Sequence, residues 1–210
     1  MKRRILIFVA VLVFFLSGCV VYSFYPLYTE KDLFPNDLLT GTWIEADNEN
    51  STIDQADGIW KFEHPFIDEE KSDAKDSLSY LLDLKTIDSG KTIESKFDVH
   101  IVKLGDQFFL DFYLHEFFED SELSLAIFHV IPVHTFAKLT LGENEITINW
   151  LNPDWLAKLI RENKIRIHHE ESDDVVLLTA KPQEVQKFIT KYVNSEEAFK
   201  DGLEVVLYRK

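Results

Sequence analysis

The sequence predicts a mainly β fold: an antiparallel barrel or a strongly curved sheet, with two or three helices added. Three observations carry this. Several segments alternate apolar and polar residues with the period of a half-buried strand. Short Gly- and Asn-containing turns separate many of them, as hairpins require. Two stretches instead repeat apolar residues at helical spacing behind clear caps. The chain has 210 residues, of which 13% are aromatic, including 17 Phe. That supplies a sizeable core for one domain of ordinary size.

In chain order, Tyr28 to Leu39 comes first. Thr29-Glu30-Lys31-Asp32 suits a short helical turn with Thr29 as cap and Asp32 at the capping-box position. Leu38-Leu39-Thr40-Gly41-Thr42-Trp43-Ile44 then opens a strand. Ile59-Trp60-Lys61-Phe62-Glu63 and Phe97-Asp98-Val99-His100-Ile101 alternate, and Leu78 to Leu84 is a further strand candidate. Leu104-Gly105-Asp106-Gln107 reads as a hairpin turn into Phe108 to Tyr113, where Phe108, Leu110 and Phe112 share a face. His134 to Leu141 and Glu145 to Trp150 form a second hairpin around Gly142-Glu143-Asn144. Ile165 to His169 and Val175 to Thr179 flank an acidic turn from Glu170 to Asp174, and Leu203 to Tyr208 closes the chain.

The helices are placed by their caps. Asn152 precedes Pro153 and Asp154, a cap, a residue suited to the first helical position and a charge favourable to the dipole. Trp155, Leu156, Leu159 and Ile160 give this helix its apolar face. A second helix starts near Pro182 and buries Val185, Phe188, Ile189 and Tyr192. Ser195-Glu196-Glu197 caps one more turn before Gly202.

The first twenty residues have a separate logic. Lys2-Arg3-Arg4 precedes an apolar run from Ile5 to Leu16, then Ser17-Gly18-Cys19. The run is shorter than the roughly 20 residues of a membrane span and has the layout of an export signal. With cysteine directly after Leu-Ser-Gly, it resembles the lipobox of bacterial lipoproteins. That resemblance implies cleavage between Gly18 and Cys19 and lipidation of Cys19. The predicted organisation is a signal peptide over 1–18, a lipid-anchored segment over 19–28 and a single β-rich domain over 29–210. Flexible tethers are polar and rich in Gly or Ser. Val20 to Tyr28 reads VVYSFYPLY and is expected to pack on the domain or lie against the membrane; a short disordered leader is the alternative for Val20 to Ser23.

Two further resemblances follow. Gly41-Thr42-Trp43, after a short helix and at the start of a strand, resembles the Gly-x-Trp signature of lipocalins and related calycin barrels. It implies that Trp43 closes one barrel end and stacks with an arginine near the last strand, here Arg209. The family's Thr-Asp-Tyr-like motif and disulfide are missing. The lipobox, Tyr25-Pro26-Leu27-Tyr28, Gly41-Thr42-Trp43, Pro132 to Phe136 and Asn152 to Leu156 together resemble a group of uncharacterised bacterial lipoproteins. That likeness implies an architecture and no activity.

The formal charge of −15 makes nucleic acid an unlikely partner and disfavours anionic lipid heads. Cys19 is the only cysteine, so no disulfide forms within the chain. The seven histidines lack His-x-x-x-His spacing, and His129 and His134 diverge around Pro132. A metal site from His134, His169 and a carboxylate is conceivable only through the fold; no metal or cofactor is predicted. There is no Gly-x-Ser-x-Gly elbow and no Gly-rich phosphate loop. Leu114 to Ile131 is rich in aromatics, and Phe117, Phe118 and Phe128 are candidates for a lid or partner patch, against a helical connection capping the core.

The expected function is a non-catalytic binding module of the cell envelope, with an apolar small molecule as candidate ligand. The alternatives are an assembly subunit docking another envelope protein, or a hydrolase with an unrecognised site. Val20 after the cysteine, where enteric inner-membrane lipoproteins carry aspartate, favours the outer membrane where the organism has one, and the plasma membrane otherwise.

Overall fold

The computed structural model describes residues 20–66, 75–88, 91–115, 131–172, 175–199 and 201–210. The signal segment with Gly18 and Cys19, and Phe117, Phe118, Phe128 and His129, lie outside the described residues.

Eight antiparallel strands close into a barrel. They are β2 (Gly41–Glu45), β3 (Gly58–Glu63), β4 (Tyr80–Asp88), β5 (Lys91–Leu104), β6 (Gln107–Leu114), β7 (His134–Leu141), β8 (Glu145–Trp150) and β11 (Glu204–Arg209). Closure is the pairing of β11 with β2, Leu207 opposite Glu45 and Arg209 opposite Trp43. A side sheet branches from β7 through β1 (Tyr22–Ser23) to β10 (Val175–Leu178) and β9 (His169–Ser172). The β1–β10 pair is parallel; the others are antiparallel. Helices α1 (Pro153–Arg161), α2 (Pro182–Tyr192) and α3 (Glu196–Phe199) lie between β8 and β11 in the chain.

Two apolar clusters hold these layers. One fills the barrel: Trp43, Trp60, Phe62, Tyr80, Phe112 and Trp150 meet there with Leu, Ile and Val from β4 to β8 and β11. The other lies outside the wall, where Val102, Phe109 and Phe136 meet Trp155, Leu156, Val185, Phe188 and Ile189 from the helices. β6 therefore buries both faces. Leu110 and Phe112 point into the barrel while Phe109 points to the helices. Phe108, Leu110 and Phe112 share the inner side, as the alternation indicates.

Local chemistry explains the turns and caps. Gly105 has φ +63° at the first central position of the β5–β6 turn, where glycine adopts a left-handed backbone freely. Asn152 Oδ1 accepts from Trp155 N at 3.0 Å, and Pro153 occupies the first turn of α1. α1 ends with Asn163 at φ +53° and Lys164 N donating to Leu159 O at 2.9 Å, a left-handed stop. Thr29 N and Oγ1 both donate to Asp32 Oδ2, at 2.9 and 2.5 Å, around a one-turn helix at Glu30–Asp32.

Three boundaries differ from expectation. β4 and β5 run past the predicted Leu78–Leu84 and Phe97–Ile101 into a long hairpin, because its cross-strand pairs persist beyond the barrel end. Residues 165–168 are extended but join no ladder. The strand begins at His169 and takes in Glu170 and Glu171, which had read as turn. As the outermost strand, β9 can carry charge on exposed positions without burying it.

Candidate functional site

One end of the barrel is sealed by a cation. Trp43 is fully buried, and its Nε1 donates to Leu39 O at 2.9 Å. The Arg209 guanidinium lies 4.1 Å from the centre of the Trp43 ring. Its nitrogens donate to Thr40 O at 3.0 Å, Glu143 O at 2.6 Å and Leu38 O. Arg209 thereby ties the one-turn helix Asp37–Leu39, the β7–β8 turn and the start of β2 together. Gly41, at φ +121°, gives it room: a Cβ there would sit 3.0 Å from an Arg209 nitrogen. Tyr80 completes this end, its hydroxyl accepting from Asn36 N at 2.7 Å and donating to Asn36 O at 3.1 Å.

The opposite end carries the interior's one orphan donor among the described residues. Trp60 is 5% exposed and its Nε1 has no hydrogen-bond partner. Glu45 and Gly58 share this corner; a Cβ on Gly58 would lie 3.1 Å from Glu45 Oε2 and 3.3 Å from Trp60 Nε1. Burial raises the Glu45 pKa, and the approach of the Trp60 N–H, short of hydrogen-bond geometry, offsets this only in part.

On the outer face of β2 to β5 there is a cleft of about 700 Å³. Ile59 supplies the outward apolar side chain, and Lys61, Asp83, Lys85, Glu94 and Lys96 the charged ones; Leu84 and Leu114, also at its border, alternate onto the barrel's inner face. Lys85 pairs with Glu94 at 2.7 Å and Lys61 with Glu63 at 3.0 Å. The volume suits a small molecule or a side-chain-sized anchor. Leu114, at its border, is where β6 leads into the candidate lid stretch. Ile87 and Ile93, 47% and 52% exposed, project from the β4–β5 hairpin beyond the last β5–β6 pair at Phe97 and Leu114.

A polar cluster on the other side of the wall escapes sequence reasoning. Asp111 is fully buried; Oδ2 accepts from Leu27 N at 2.7 Å and Oδ1 lies 2.7 Å from His134 Nδ1. His100 faces Asp111 across the strands and stacks on Tyr28, with ring centres 4.5 Å apart. Burial dominates both titrations. It pushes Tyr28 up to about 12, helped by Asp111 and Asp98, and holds His100 down against the pull of Asp111, Asp98 and Asp76. Ser23 is the strand neighbour of His134, but its Oγ donates to Tyr25 O at 2.6 Å. Both Asp111 oxygens are therefore committed, and the cluster clamps the N-terminal strap. The only sequence signal for it is an aspartate on the helix-facing side of a strand that buries both faces.

Trp43 and Arg209 are brought together; His134 and His169 are not. His134, Ser23, Leu178 and His169 form one row across four strands. Three strand spacings separate the histidines by about 14 Å, too far to share an ion. Among the described residues no group of three His, Cys, Asp or Glu side chains could hold a metal. Comparisons with protein-family models, with curated proteins and with solved structures found no match.

Proposed function

We propose that this chain is a non-catalytic binding module, tethered to a membrane of the cell envelope through lipid on Cys19, that engages its ligand on the outside of the barrel. The observation carrying this is the contrast between a barrel packed with six large aromatic side chains and a cleft of about 700 Å³ on its outer wall. A small eight-stranded barrel either fills with side chains or holds one small ligand, and this one is of the filled kind. The calycin likeness then concerns architecture, with the arginine-sealed end as its centre. The lining favours an amphipathic small molecule, its apolar part against Ile59 and its polar part among the lysines and acids. The test is the mass of the full chain, purified in mild detergent, under native and then denaturing conditions. A discrete extra mass that is lost on denaturation, and absent in Ile59→Asp, supports the reading. A bare chain from host membranes counts against a tight ligand.

A second reading, an assembly subunit, is favoured by Ile87 and Ile93 on the projecting hairpin. Replacing both with Ser would then abolish recovery of a defined envelope partner while leaving the fold unchanged. The tether has its own check. Cys19→Ser should leave the signal uncleaved, and the acyl mass expected on the mature N-terminus should be absent.

A further inference from the structure

The chain carries a strong excess of acid, yet four of its basic side chains gather on one groove. After the left-handed stop at Asn163, the run 164–168 lies beside α2, where His168 N donates to Glu184. Ile165 and Ile167 turn toward the helical cluster, and Lys164 and Arg166 turn outward. On α2, Lys187 and Lys191 are exposed one turn apart, next to Phe188 and Tyr192. Together these residues line a groove of about 370 Å³. Lys191 Nζ lies 4.8 Å from the centre of the Tyr192 ring.

The acids nearby offset only part of this charge. Glu184, the carboxylate lining the groove, is taken by His168, whose main-chain N donates at 3.0 Å and whose Nδ1 lies at 2.8 Å. Lys164 pairs with Glu162 at 2.6 Å. Among the described residues, Arg166, Lys187 and Lys191 make no ion pair. An excess of cations over carboxylates above an aromatic floor fits a group that is anionic at one end and apolar at the other.

The groove also belongs to the unit through which the chain enters the domain. Phe188 and Val21 share one packed cluster, and Gln186 Nε2 on α2 donates to Leu27 O at 2.9 Å. We propose that this groove binds the phosphate of an anionic phospholipid headgroup in the membrane that holds the chain. It rests on the tethered reading, which puts the headgroup within reach.

The experiment uses the full chain in nanodiscs of phosphatidylcholine, with or without phosphatidylglycerol, and follows amine labelling of individual lysines by mass spectrometry. Lys187 and Lys191 should label about fivefold more slowly in the anionic discs, the factor for about 1 kcal/mol per surface cation. Lys31 and Lys75, exposed elsewhere, should label alike in both. Arg166→Gln should reduce the slowing at Lys187 and Lys191. Equal labelling of those two in both discs, from a chain that stays with the discs, overturns the site and leaves the tether standing. The same slowing by inorganic phosphate over neutral discs also overturns it, by making the ligand a free anion. A chain that leaves the discs overturns both readings.

Discussion

Arg209 makes four contacts with one side chain: a ring face and three carbonyls from separate segments. Arg209→Ala gives up the ring face and all three carbonyl bonds at once, two of them solvent-exposed, so a loss of about 1–2 kcal/mol is expected. It reads as a lower urea midpoint with a red-shifted tryptophan emission from Trp43. Arg209→Lys should recover little of this, because one ammonium cannot span the planar fork's three directions. Gly202 is constrained from the other side. A Cβ there would run into the Trp150 carbonyl oxygen, which is backbone and cannot step aside. Gly202→Ala should therefore cost about 1–3 kcal/mol by thermal melting, although alanine suits most loops.

Titration at His100 has a definite sign. Its folded pKa lies below the ordinary 6.5, so the unfolded chain binds the proton more readily. Its contribution to stability is complete above pH 6.5 and shrinks as pH falls from 6.5 toward the folded value. Urea midpoints between pH 8 and 5 should show that decline, and His100→Gln should flatten it. A second decline belongs near pH 4, as Asp32 and Asp76 lose hydrogen bonds that hold their pKa values down. Tyr28 acts at the alkaline end, where stability falls as pH rises from 10 toward about 12.

At the scale of elements, the strap is the part held by the shortest ladders, two residue pairs to each neighbour. β1 has two residues, yet Val21, Ser23 and Leu27 are all buried. Its hold is the Asp111 carboxylate and the Gln186 amide rather than a long run of strand pairs. Asp111→Ala should release it. Amide exchange across 22–28 should rise sharply while β2 to β5 keep their protection, a local opening rather than global unfolding. Most strands and both longer helices were legible because alternation, caps and turn residues are local signals. The miss at β9 has a physical cause. Glu170 and Glu171 occur in turns far more often than in ladders, and only their place at the sheet's edge lets a strand tolerate them. Nor could alternation separate a closed barrel from a curved sheet. That choice rests on β11 meeting β2, and the two are the full length of the domain apart.

Over the whole molecule, net charge proved a poor guide to local charge. A value of −15 argues against any anionic partner, yet Lys164, Arg166, Lys187 and Lys191 converge on one groove. The sequence spreads them over 28 positions and two elements, so no run of basic residues announces the patch. The Asp111 clamp was hidden in the same way, since Leu27 and Asp111 are 84 residues apart. Such asymmetry should make association with anionic bilayers depend on salt through few charges. Raising ionic strength from about 0.01 to 0.15 M shortens the screening length from roughly 30 to 8 Å, and the labelling contrast at Lys187 should fade with it.

The burial of Val21 has a mechanical meaning. With lipid on Cys19, as proposed, two peptide units separate the anchor from a side chain that is 2% exposed. A leash that short spans at most about 7 Å. Such a domain has no swing and cannot ferry cargo across a gap; whatever it meets must arrive at the bilayer surface, and always from the same side.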